Sequence, residues 1–298
     1  ACMIPAGHIR TPKILSVVKA DAYGHGMIKA AKALDKAGTD FFGVSEFSEG
    51  IVLRKNRIKK PVLVLEPPLA SFVKPLVDHR LTATVASLDI ARALSAYAGS
   101  IGKKADIHIN VDTGMGRLGA AYDEAEDLIK QVMRLPHVSV TGLYTHFPSA
   151  DTNRAFTEKQ ISRMAGLVNR LDRQGLIIPY IHGANSMGAT GYQTGVFNLV
   201  RLGLMLYGLY PSSACRKILT LKPVMSVKSR VIFVKTAVKG SGISYGRTFV
   251  ADRNMTTATI ALGYNDGYFR VFSNKAYVLI RGRRCQVLGR VTMDQIVV

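Results

Sequence analysis

The feature that most constrains the fold of this chain is a repeated alternation of short apolar runs with longer amphipathic stretches. The runs are rich in β-branched residues, and the alternation continues to about residue 210. This pattern is typical of βα units that build a parallel sheet. Strands are predicted at residues 13–18, 41–45, 62–65, 82–85, 106–111, 140–145, 180–183 and 200–206.

Eight parallel strands are the number that closes a (β/α)8 barrel of the TIM type. Between the strands, amphipathic stretches predict helices, and Gly38 and Gly175 are placed to end two of them. We therefore predict an α/β barrel for residues 1–213. The predicted helices are residues 27–37, 88–98, 121–133 and 157–174.

Beyond Pro211 the pattern changes to alternation without helical periodicity, which favours an antiparallel β domain for residues 214–298. The last predicted strand runs to Val298 without a following turn, so we expect this domain to be incomplete at its C-terminal end. The predicted strands are residues 224–238, 256–262, 276–280, 285–288 and 291–298.

The charge balance is strongly basic, with 40 basic and 20 acidic residues and a formal net charge of +20. Such a charge would suit nucleic-acid binding or a field that attracts anionic ligands. However, the basic runs at residues 54–60 and 281–284 contain no aromatic residues on which bases could stack. A solvated basic surface is therefore the favoured interpretation, and no nucleic-acid partner is expected.

The cysteines and the hydropathy pattern indicate where the chain resides. No apolar run approaches the roughly 20 residues needed to span a bilayer, so no membrane partner is expected. Cys2, Cys215 and Cys285 are isolated and form neither a CxxC pair nor a metal-ligand spacing. We therefore expect a cytoplasmic protein without a metal site.

The most distinctive chemical feature lies directly after the first predicted strand. In a barrel of this type, catalytic groups project from the carboxyl ends of the strands, and Lys19 follows the apolar residues 14–18. An amine in such a partly desolvated mouth is a good nucleophile towards an aldehyde. The sequence Tyr23-Gly24-His25-Gly26 follows and leaves backbone N–H groups free for an anion. By itself, a lysine that extends from a strand end to solvent is an equal alternative.

The segment Val-Val-Lys-Ala-Asp-Ala-Tyr-Gly-His-Gly at residues 17–26 resembles the cofactor-lysine segment of the alanine racemase family. The other landmarks of that family follow in order, so the resemblance spans nearly the whole chain. They are Val-Asp-Thr-Gly-Met-Gly-Arg-Leu-Gly at 111–119, Tyr-Thr-His-Phe at 144–147, Ala-Asn-Ser at 184–186, Val-Arg-Leu-Gly at 200–203, Tyr-Gly-Leu-Tyr-Pro at 207–211, Ile-Ser-Tyr-Gly at 243–246, Gly-Tyr-Asn-Asp-Gly at 263–267 and Met-Asp-Gln at 293–295.

The resemblance implies a pyridoxal 5'-phosphate enzyme that interconverts L- and D-alanine and supplies D-alanine for peptidoglycan. It also implies a homodimer whose active sites are shared between the subunits. Lys19 would hold the cofactor and move the α-proton on one face, and Tyr245 of the second subunit would serve the other face. His146 and Arg201 would form the hydrogen-bonded chain that supports Tyr245. Arg201 would also donate to the pyridine nitrogen, because a guanidinium stays protonated.

The remaining implied roles concern binding. The phosphate would be bound by neutral donors, with Asn185 as a further cofactor contact, and the substrate carboxylate would be met by Arg117. The implied phosphate ligands are Tyr23, Ser186 and the N–H groups of Gly203 and Leu204. The implied residues of the substrate entrance are Tyr264, Met293 and Asp294.

One position departs from a common family pattern. Many relatives carry a carbamylated lysine where this chain has Asn110, and the added negative charge holds the arginine that corresponds to Arg117. Asn110 cannot be carbamylated, so the guanidinium keeps an uncompensated charge. We therefore predict a bound anion, most simply chloride, between Asn110 and Arg117.

Three alternatives remain at the level of the sequence. A broad-specificity or serine racemase would share most of these motifs, although Asp294 resembles the alanine-selective group. A non-catalytic carrier of pyridoxal phosphate would share the barrel but lack the β domain. A basic nucleic-acid-binding protein is supported only by the net charge of +20.

Overall fold

The computed structural model of this protein describes residues 12–192, 195–217 and 219–298. The chain divides into two compact units, of which the first extends to Met225 and the second comprises Ser226–Val298. The division lies further along the chain than the boundary predicted after residue 213. Cys2 lies outside the described residues, and Cys215 and Cys285 are free thiols.

Eight parallel strands of the first unit form one sheet in the order β8-β7-β5-β4-β3-β2-β1-β9, and the short strand β6 pairs with β5 at its edge. Each apolar run that predicted a strand forms one. The strands are β1 (Lys13–Val17), β2 (Phe41–Val44), β3 (Val62–Val64), β4 (Thr82–Val85), β5 (Ala105–Asp112), β6 (Ala120–Ala121), β7 (Val138–Tyr144), β8 (Tyr180–His182) and β9 (Leu199–Leu202).

Backbone hydrogen bonds connect the two outer strands of this sheet. The N–H of Asn198 donates to Ile181 at 3.0 Å, and the N–H of Arg201 donates to Ala184 at 2.9 Å. The sheet is therefore a nearly closed barrel, and the predicted fold class is confirmed. The predicted strand 200–206 is too long, because residues Leu204–Tyr207 form a 3-10 helix.

Helices connect the strands and cover the outside of the barrel. The predicted helix 121–133 begins later, because residues Ala120–Ala121 pair with β5 as β6. Three short helices were missed, since α4 and α8 have six residues each and α3 shows little amphipathic periodicity. The helices are α2 (Met27–Lys36), α3 (Phe47–Lys55), α4 (Val73–Asp78), α5 (Leu88–Ser100), α6 (Ala125–Met133), α7 (Arg154–Arg173) and α8 (Ser186–Gly191), and the segment before them, α1 (Lys19–Gly24), is a left-handed turn.

Alternate residues of each strand point to opposite faces, so the barrel has two buried layers. The outer layer packs against the helices through side chains such as Phe42, Ile107 and Leu143. Inside the barrel, one side is apolar and the other side is polar. The inner apolar cluster consists of Leu15, Val17, Phe41, Leu63 and Leu199, and the buried inner polar side chains include Thr84, His108, Asn110, His182 and Arg201.

The second unit is built from short antiparallel strands, which confirms the predicted class of this region. The predicted strand 224–238 begins only at Val231. Most of the predicted strand 291–298 is a turn, in which the N–H and the hydroxyl of Thr292 donate to the carbonyl of Gln295. The strands are β10 (Val231–Ala237), β11 (Gly242–Ile243), β12 (Phe249–Val250), β13 (Met255–Ile260), β14 (Tyr277–Ile280), β15 (Arg283–Gln286) and β16 (Ile296–Val297). Among the described residues, no helix has the length and apolar character needed to cross a membrane.

Candidate active site

A cavity of about 690 Å³ in the first unit is lined by residues at and beyond the carboxyl ends of the barrel strands. The position agrees with the end of the barrel where enzymes of this architecture place their chemistry. Every site residue predicted in the first unit lines this cavity. They are Lys19, Tyr23, Asn110, Arg117, His146, Asn185, Ser186, Arg201, Gly203 and Leu204.

Arg201 is the best-fixed side chain of the cavity. It lies on β9 with only 4% of its surface exposed. One guanidinium nitrogen, Nη1, lies 2.6 Å from His182 Nδ1, and Nη2 bonds the carbonyl of Thr145 at 2.7 Å and His146 Nδ1 at 3.1 Å. Burial lowers the pKa of Arg201 to about 10, so the group is still a cation near neutral pH.

The hydrogen bonds of Arg201 fix the tautomers of the neighbouring histidines. A guanidinium can only donate, so Nδ1 of His182 and Nδ1 of His146 accept, and each neutral ring carries its proton on Nε2. The Nε2–H of His182 then donates to His108 Nδ1, 2.9 Å away. His108 must in turn carry its proton on Nε2, and this buried atom has no partner within the described part of the chain.

All three histidines are held in the neutral form. The pKa of His108 and that of His146 are lowered to about 3, first by burial and then by the nearby Arg201 charge. Burial and Arg201 also hold the pKa of His182 well below its usual range. Lys19 and Arg117 add to the effect on His146. The cluster therefore carries one positive charge, on Arg201, and its neutral rings hold the guanidinium in one orientation.

The sequence analysis missed His108 and His182, although a signal was present. Both occupy inward positions on strands whose alternate residues are apolar, as in Ile107-His108-Ile109. The ring of His108 fits because residue 142 is glycine, and a Cβ there would lie 2.5 Å from that ring. Tyr144 stacks on His182 with ring centroids 4.7 Å apart. These contacts make the polar half of the barrel interior a specific support for Arg201.

The loop that follows Lys19 has an unusual backbone. Ala20, Asp21, Ala22 and Tyr23 have φ values of 50–57° and form a left-handed turn. For residues with a Cβ, this conformation costs about 1–2 kcal/mol each. Gly24 and Gly26, where the sequence predicted tight turns, have positive φ. Positive φ at the four residues before Gly24 was not expected. The strain indicates that the direction of Lys19 is imposed by surrounding contacts.

Several contacts stabilise this turn. The Asp21 carboxylate accepts from the N–H of Met27 at 2.7 Å, at the start of α2. The rings of Tyr23 and His25 pack against Tyr207, whose hydroxyl donates to the carbonyl of Val17 at 2.8 Å. Aromatic packing therefore ties the end of the turn to the 3-10 helix after β9, and the hydrogen bond to Val17 ties the chain before the turn to the same helix. The Lys19 side chain, half-buried, enters the cavity from this turn.

A group of neutral donors lies beside Tyr23. The N–H of Gly203 donates to Ser186 Oγ at 3.2 Å. A Cβ at residue 203 would lie 2.6 Å from the Tyr23 hydroxyl, so glycine is required for the close approach of these groups. Burial raises the pKa of Tyr23, which keeps the hydroxyl protonated as a donor. Two hydroxyls and backbone N–H groups meeting at one point form a suitable cradle for an anion.

The loop that carries Arg117 is organised by Asp112. Its carboxylate accepts from the N–H groups of Gly114, Met115 and Gly116 at distances from 2.8 to 3.2 Å. Arg117 follows this loop and is exposed at the cavity, whereas Asn110 is buried on β5. Both line the cavity.

The charges that line the cavity are unequal. Among the described residues that line it, Lys19, Arg117 and Arg201 contribute three cations, and one residue, Glu66, which accepts from Ser45 Oγ at 2.6 Å, is acidic. The cavity therefore favours anionic ligands. No group of three metal-ligating side chains occurs among the described residues.

The other predicted residues lie on the second unit, around the segment 290–293. Ser244 Oγ, next to Tyr245, donates to the carbonyl of Arg290 at 2.6 Å. The N–H of Tyr264 donates to the carbonyl of Thr292 at 3.0 Å, and the N–H of Asn265 donates to the carbonyl of Met293. Tyr245 is 72% exposed. The second unit therefore presents Tyr245, Tyr264, Met293 and the adjoining Asp294 from one connected group of loops.

The fold and the site together define a barrel enzyme with a lysine and an arginine in one positively charged cavity, followed by an antiparallel β unit. Residues 6–211 match the family model for the alanine racemase N-terminal domain, and residues 224–298 match the model for the alanine racemase C-terminal domain. The chain belongs to the alanine racemase family, whose members are amino-acid racemases that depend on pyridoxal phosphate.

Individual relatives agree with this assignment. An alanine racemase of Halothermothrix orenii is 40% identical over 287 residues, which cover 96% of this chain and 76% of the relative. An alanine racemase of Geobacter sulfurreducens is also 40% identical, and the match covers 95% of this chain and 75% of that relative. The solved structure of an alanine racemase from Clostridium difficile 630 superposes with a TM-score of 0.89 at 36% identity, over 97% of this chain and 76% of that chain.

Proposed function

We propose that this chain interconverts L- and D-alanine in the cytoplasm, with pyridoxal 5'-phosphate held on Lys19, and that it supplies D-alanine for peptidoglycan. The observation that carries the proposal is that Lys19 and Arg201 line one cavity, with Arg201 fixed by His182. A lysine amine can hold the aldehyde of the cofactor covalently.

The donors of the cavity suit the phosphate of this cofactor. Tyr23, Ser186 and the N–H groups of Gly203 and Leu204 would bind it, and the missing Cβ of Gly203 leaves the approach open. Asn185 would support the cradle, because its side chain accepts from Gly188 at 3.0 Å and thereby orders the start of α8. Neutral donors around a dianion need no compensating side-chain charge.

Arg201 would donate to the ring nitrogen of the cofactor. When bound, pyridoxal phosphate supplies an electron sink that stabilises negative charge at the substrate Cα. Because Arg201 is buried and keeps its proton, it would leave the ring nitrogen largely unprotonated and weaken that sink. A weaker sink favours simple return of a proton to Cα over transamination or decarboxylation.

Two residues would move the protons on opposite faces of the substrate. Once the substrate amine replaces it on the cofactor, the freed Lys19 amine would take the α-proton on one face, while the Tyr245 hydroxyl of a second subunit would give a proton to the other face. In the opposite direction, Tyr245 would accept the proton and Lys19 would return one. The Nε2–H of His146, which Arg201 does not use, would be the hydrogen-bond donor to Tyr245. The active enzyme would therefore be a homodimer with shared active sites.

The substrate carboxylate would be bound by Arg117, and the entrance would be formed by Tyr264, Met293 and Asp294. We also propose a chloride ion between Asn110 and Arg117. The proposal is supported by the excess of cations in the cavity and by the neutral side chain of Asn110. A well-resolved crystal structure grown in chloride buffer should contain this ion, and a neutral water in its place would contradict the proposal.

A broad-specificity or serine racemase is the main alternative within this family, and steady-state kinetics would separate the two. With L-alanine, L-serine and L-lysine as substrates, we expect the highest kcat/KM for L-alanine. A preference for L-lysine would overturn the assigned substrate. A non-catalytic carrier of the cofactor is opposed by the C-terminal domain at residues 224–298. Binding to nucleic acid would be weak and steeply dependent on salt.

The direct experiment combines cofactor trapping with polarimetry. Incubation with pyridoxal phosphate and reduction with borohydride should fix the cofactor on Lys19, as identified by peptide mass spectrometry. L-alanine should lose its optical rotation with the same preparation. Lys19→Ala should abolish both signals, while the control Lys29→Ala, on the outer helix α2, should keep them. A wild-type chain that binds no pyridoxal phosphate would end the proposal.

A further inference from the structure

Glu49 forms a connection between two loops of the active-site face. It lies in the first turn of α3 and is half-buried. Its Oε1 accepts from the N–H of Ala20 at 2.7 Å, and its Oε2 accepts from the N–H of Ser45 at 2.7 Å. Ala20 directly follows Lys19, and Ser45 follows β2 and lines the cavity. One carboxylate therefore ties together the chain beyond β1 and the chain beyond β2.

The connection reaches the left-handed turn that follows Lys19. Ala20 is the first of the four residues with left-handed φ, and its own φ is 51°. A carboxylate that accepts from a backbone N–H forms one of the stronger hydrogen bonds in proteins. The bond from Glu49 therefore holds the residue at which the left-handed turn begins, and Asp21 holds the other end of the turn at Met27.

We propose that Glu49 is a positioning residue for Lys19. Its carboxylate holds Ala20 in the left-handed conformation and thereby fixes the direction in which the Lys19 side chain enters the cavity. Glu49 itself touches neither substrate nor cofactor in this role. The inference rests on the proposed function in one respect, namely that Lys19 is the residue that holds the cofactor.

The variant Glu49→Gln tests the role without changing the size of the side chain. The two bonds use separate carboxylate oxygens, whereas a glutamine amide has one accepting oxygen and one donating nitrogen, so one bond is lost and the other is no longer charge-assisted. The matched control is Glu46→Gln, three residues earlier. Glu46 is exposed, and its carboxylate accepts from Ser48 Oγ rather than from either loop.

The first measurement uses the cofactor-free protein. In Glu49→Gln, amide hydrogen exchange of the peptide that spans residues 17–26 should become about tenfold faster or more, since a charge-assisted bond is lost. Exchange in Glu46→Gln should match the wild type. Both variants should keep a cooperative thermal transition. If the peptide exchanges in Glu49→Gln at the wild-type rate, the proposal is overturned. Loss of the cooperative thermal transition in Glu49→Gln would also overturn it, because the carboxylate would then support the whole barrel.

The second measurement follows the rate at which pyridoxal phosphate becomes fixed on Lys19 by borohydride. The rate should fall about tenfold in Glu49→Gln for the same reason. The double variant Glu49→Gln, Ala20→Gly should recover part of the rate, because glycine adopts positive φ without a steric penalty. A rate in Glu49→Gln equal to that of the wild type, or a double variant no faster than Glu49→Gln, would contradict the positioning role.

The two measurements separate this inference from the proposed function. A wild-type protein that fixes no pyridoxal phosphate would refute the proposed function, whereas the exchange data on the cofactor-free chain would still decide whether Glu49 holds the turn. Normal trapping on Lys19 in both the wild type and Glu49→Gln would refute the positioning role alone.

Discussion

Nη1 of Arg201 lies 2.6 Å from Nδ1 of His182, and both side chains are buried inside the barrel. The distance is short because the donor is charged and the acceptor is a neutral ring nitrogen. The bond determines the tautomer of His182 and, through it, that of His108. The barrel interior is thus a directional support for one guanidinium rather than a purely apolar core.

Replacement of His182 by leucine should remove this support. The buried guanidinium loses one acceptor and His108 loses its donor, so we expect a destabilisation of about 1.5–3 kcal/mol. Urea unfolding of the cofactor-free protein measures the change. The control His137→Leu, at an exposed position, should change stability by no more than about 0.5 kcal/mol. Equal stability of the wild type and His182→Leu would show that the bond contributes nothing.

The stability of the cofactor-free protein should fall as the pH is lowered below about 6.5. The pKa values of His108 and His146 are lowered to about 3, and that of His182 also lies well below its usual range. The unfolded chain, whose histidines titrate near 6.5, therefore binds more protons than the folded chain between about pH 6.5 and 3. The stability that these neutral rings contribute is complete above that window and is lost as the pH falls through it.

The variant His108→Gln makes this pH dependence testable. Each such histidine contributes up to about 1.4 kcal/mol per pH unit to the slope of unfolding free energy against pH. Between pH 5 and 6, where few carboxylates titrate, the slope for His108→Gln should be smaller than that for the wild type by about this amount. Parallel curves for the two proteins would contradict the assignment of a depressed pKa to His108.

Gly142→Ala should disturb the same cluster by steric means. The added Cβ would lie 2.5 Å from the His108 ring, which is closer than side chains pack. Overpacking of this type costs about 1–3 kcal/mol. Thermal and urea unfolding measure the effect. In the control Gly191→Ala, the added Cβ meets none of the described residues within 4 Å, so stability should be unchanged or slightly raised. If Gly142→Ala unfolds at the same temperature and urea concentration as the wild type, His108 can move aside without a loss of stability.

Tyr245→Phe should affect the two enantiomers differently. If Tyr245 and Lys19 serve opposite faces, loss of the hydroxyl should impair exchange of the α-hydrogen from L-alanine more than from D-alanine. Proton NMR in deuterated water follows both exchanges. The control Tyr277→Phe, on β14, should leave both rates unchanged. Equal impairment of the two enantiomers by Tyr245→Phe would count against two opposed bases.

Much of the fold could be predicted from the sequence because its signal is local. Each barrel strand is a short apolar run, and the periodicity of residues such as Ile107 and Ile109 is visible without knowledge of their partners. The lengths of the strands were less predictable. Residues Leu204–Tyr207 are as apolar as a strand, but Gly203 leaves the extended conformation and the chain turns into a 3-10 helix. Composition does not record such a change of backbone direction.

The candidate site was predicted from the sequence as a set of residues, and the ten in the first unit lie together on one cavity. The support of that site was not predicted. His108 and His182 are 74 residues apart, and only the assembly of the sheet, in which β7 lies between their two strands, brings His108 Nδ1 within 2.9 Å of His182 Nε2. Glu49 was overlooked for the same reason, since its bond to Ala20 spans 29 residues and joins two different loops.

The sequence by itself determined the fold class, because the apolar runs of the strands are a local signal, and it predicted the side chains that we propose to carry the chemistry. Tertiary structure decided how those side chains are held. Hydrogen-bond direction, burial and left-handed backbone arise only when distant segments meet. For Arg201, the sequence specified a permanent cation, while the folded barrel lowered its pKa, oriented its donors and fixed the tautomers of the rings around it.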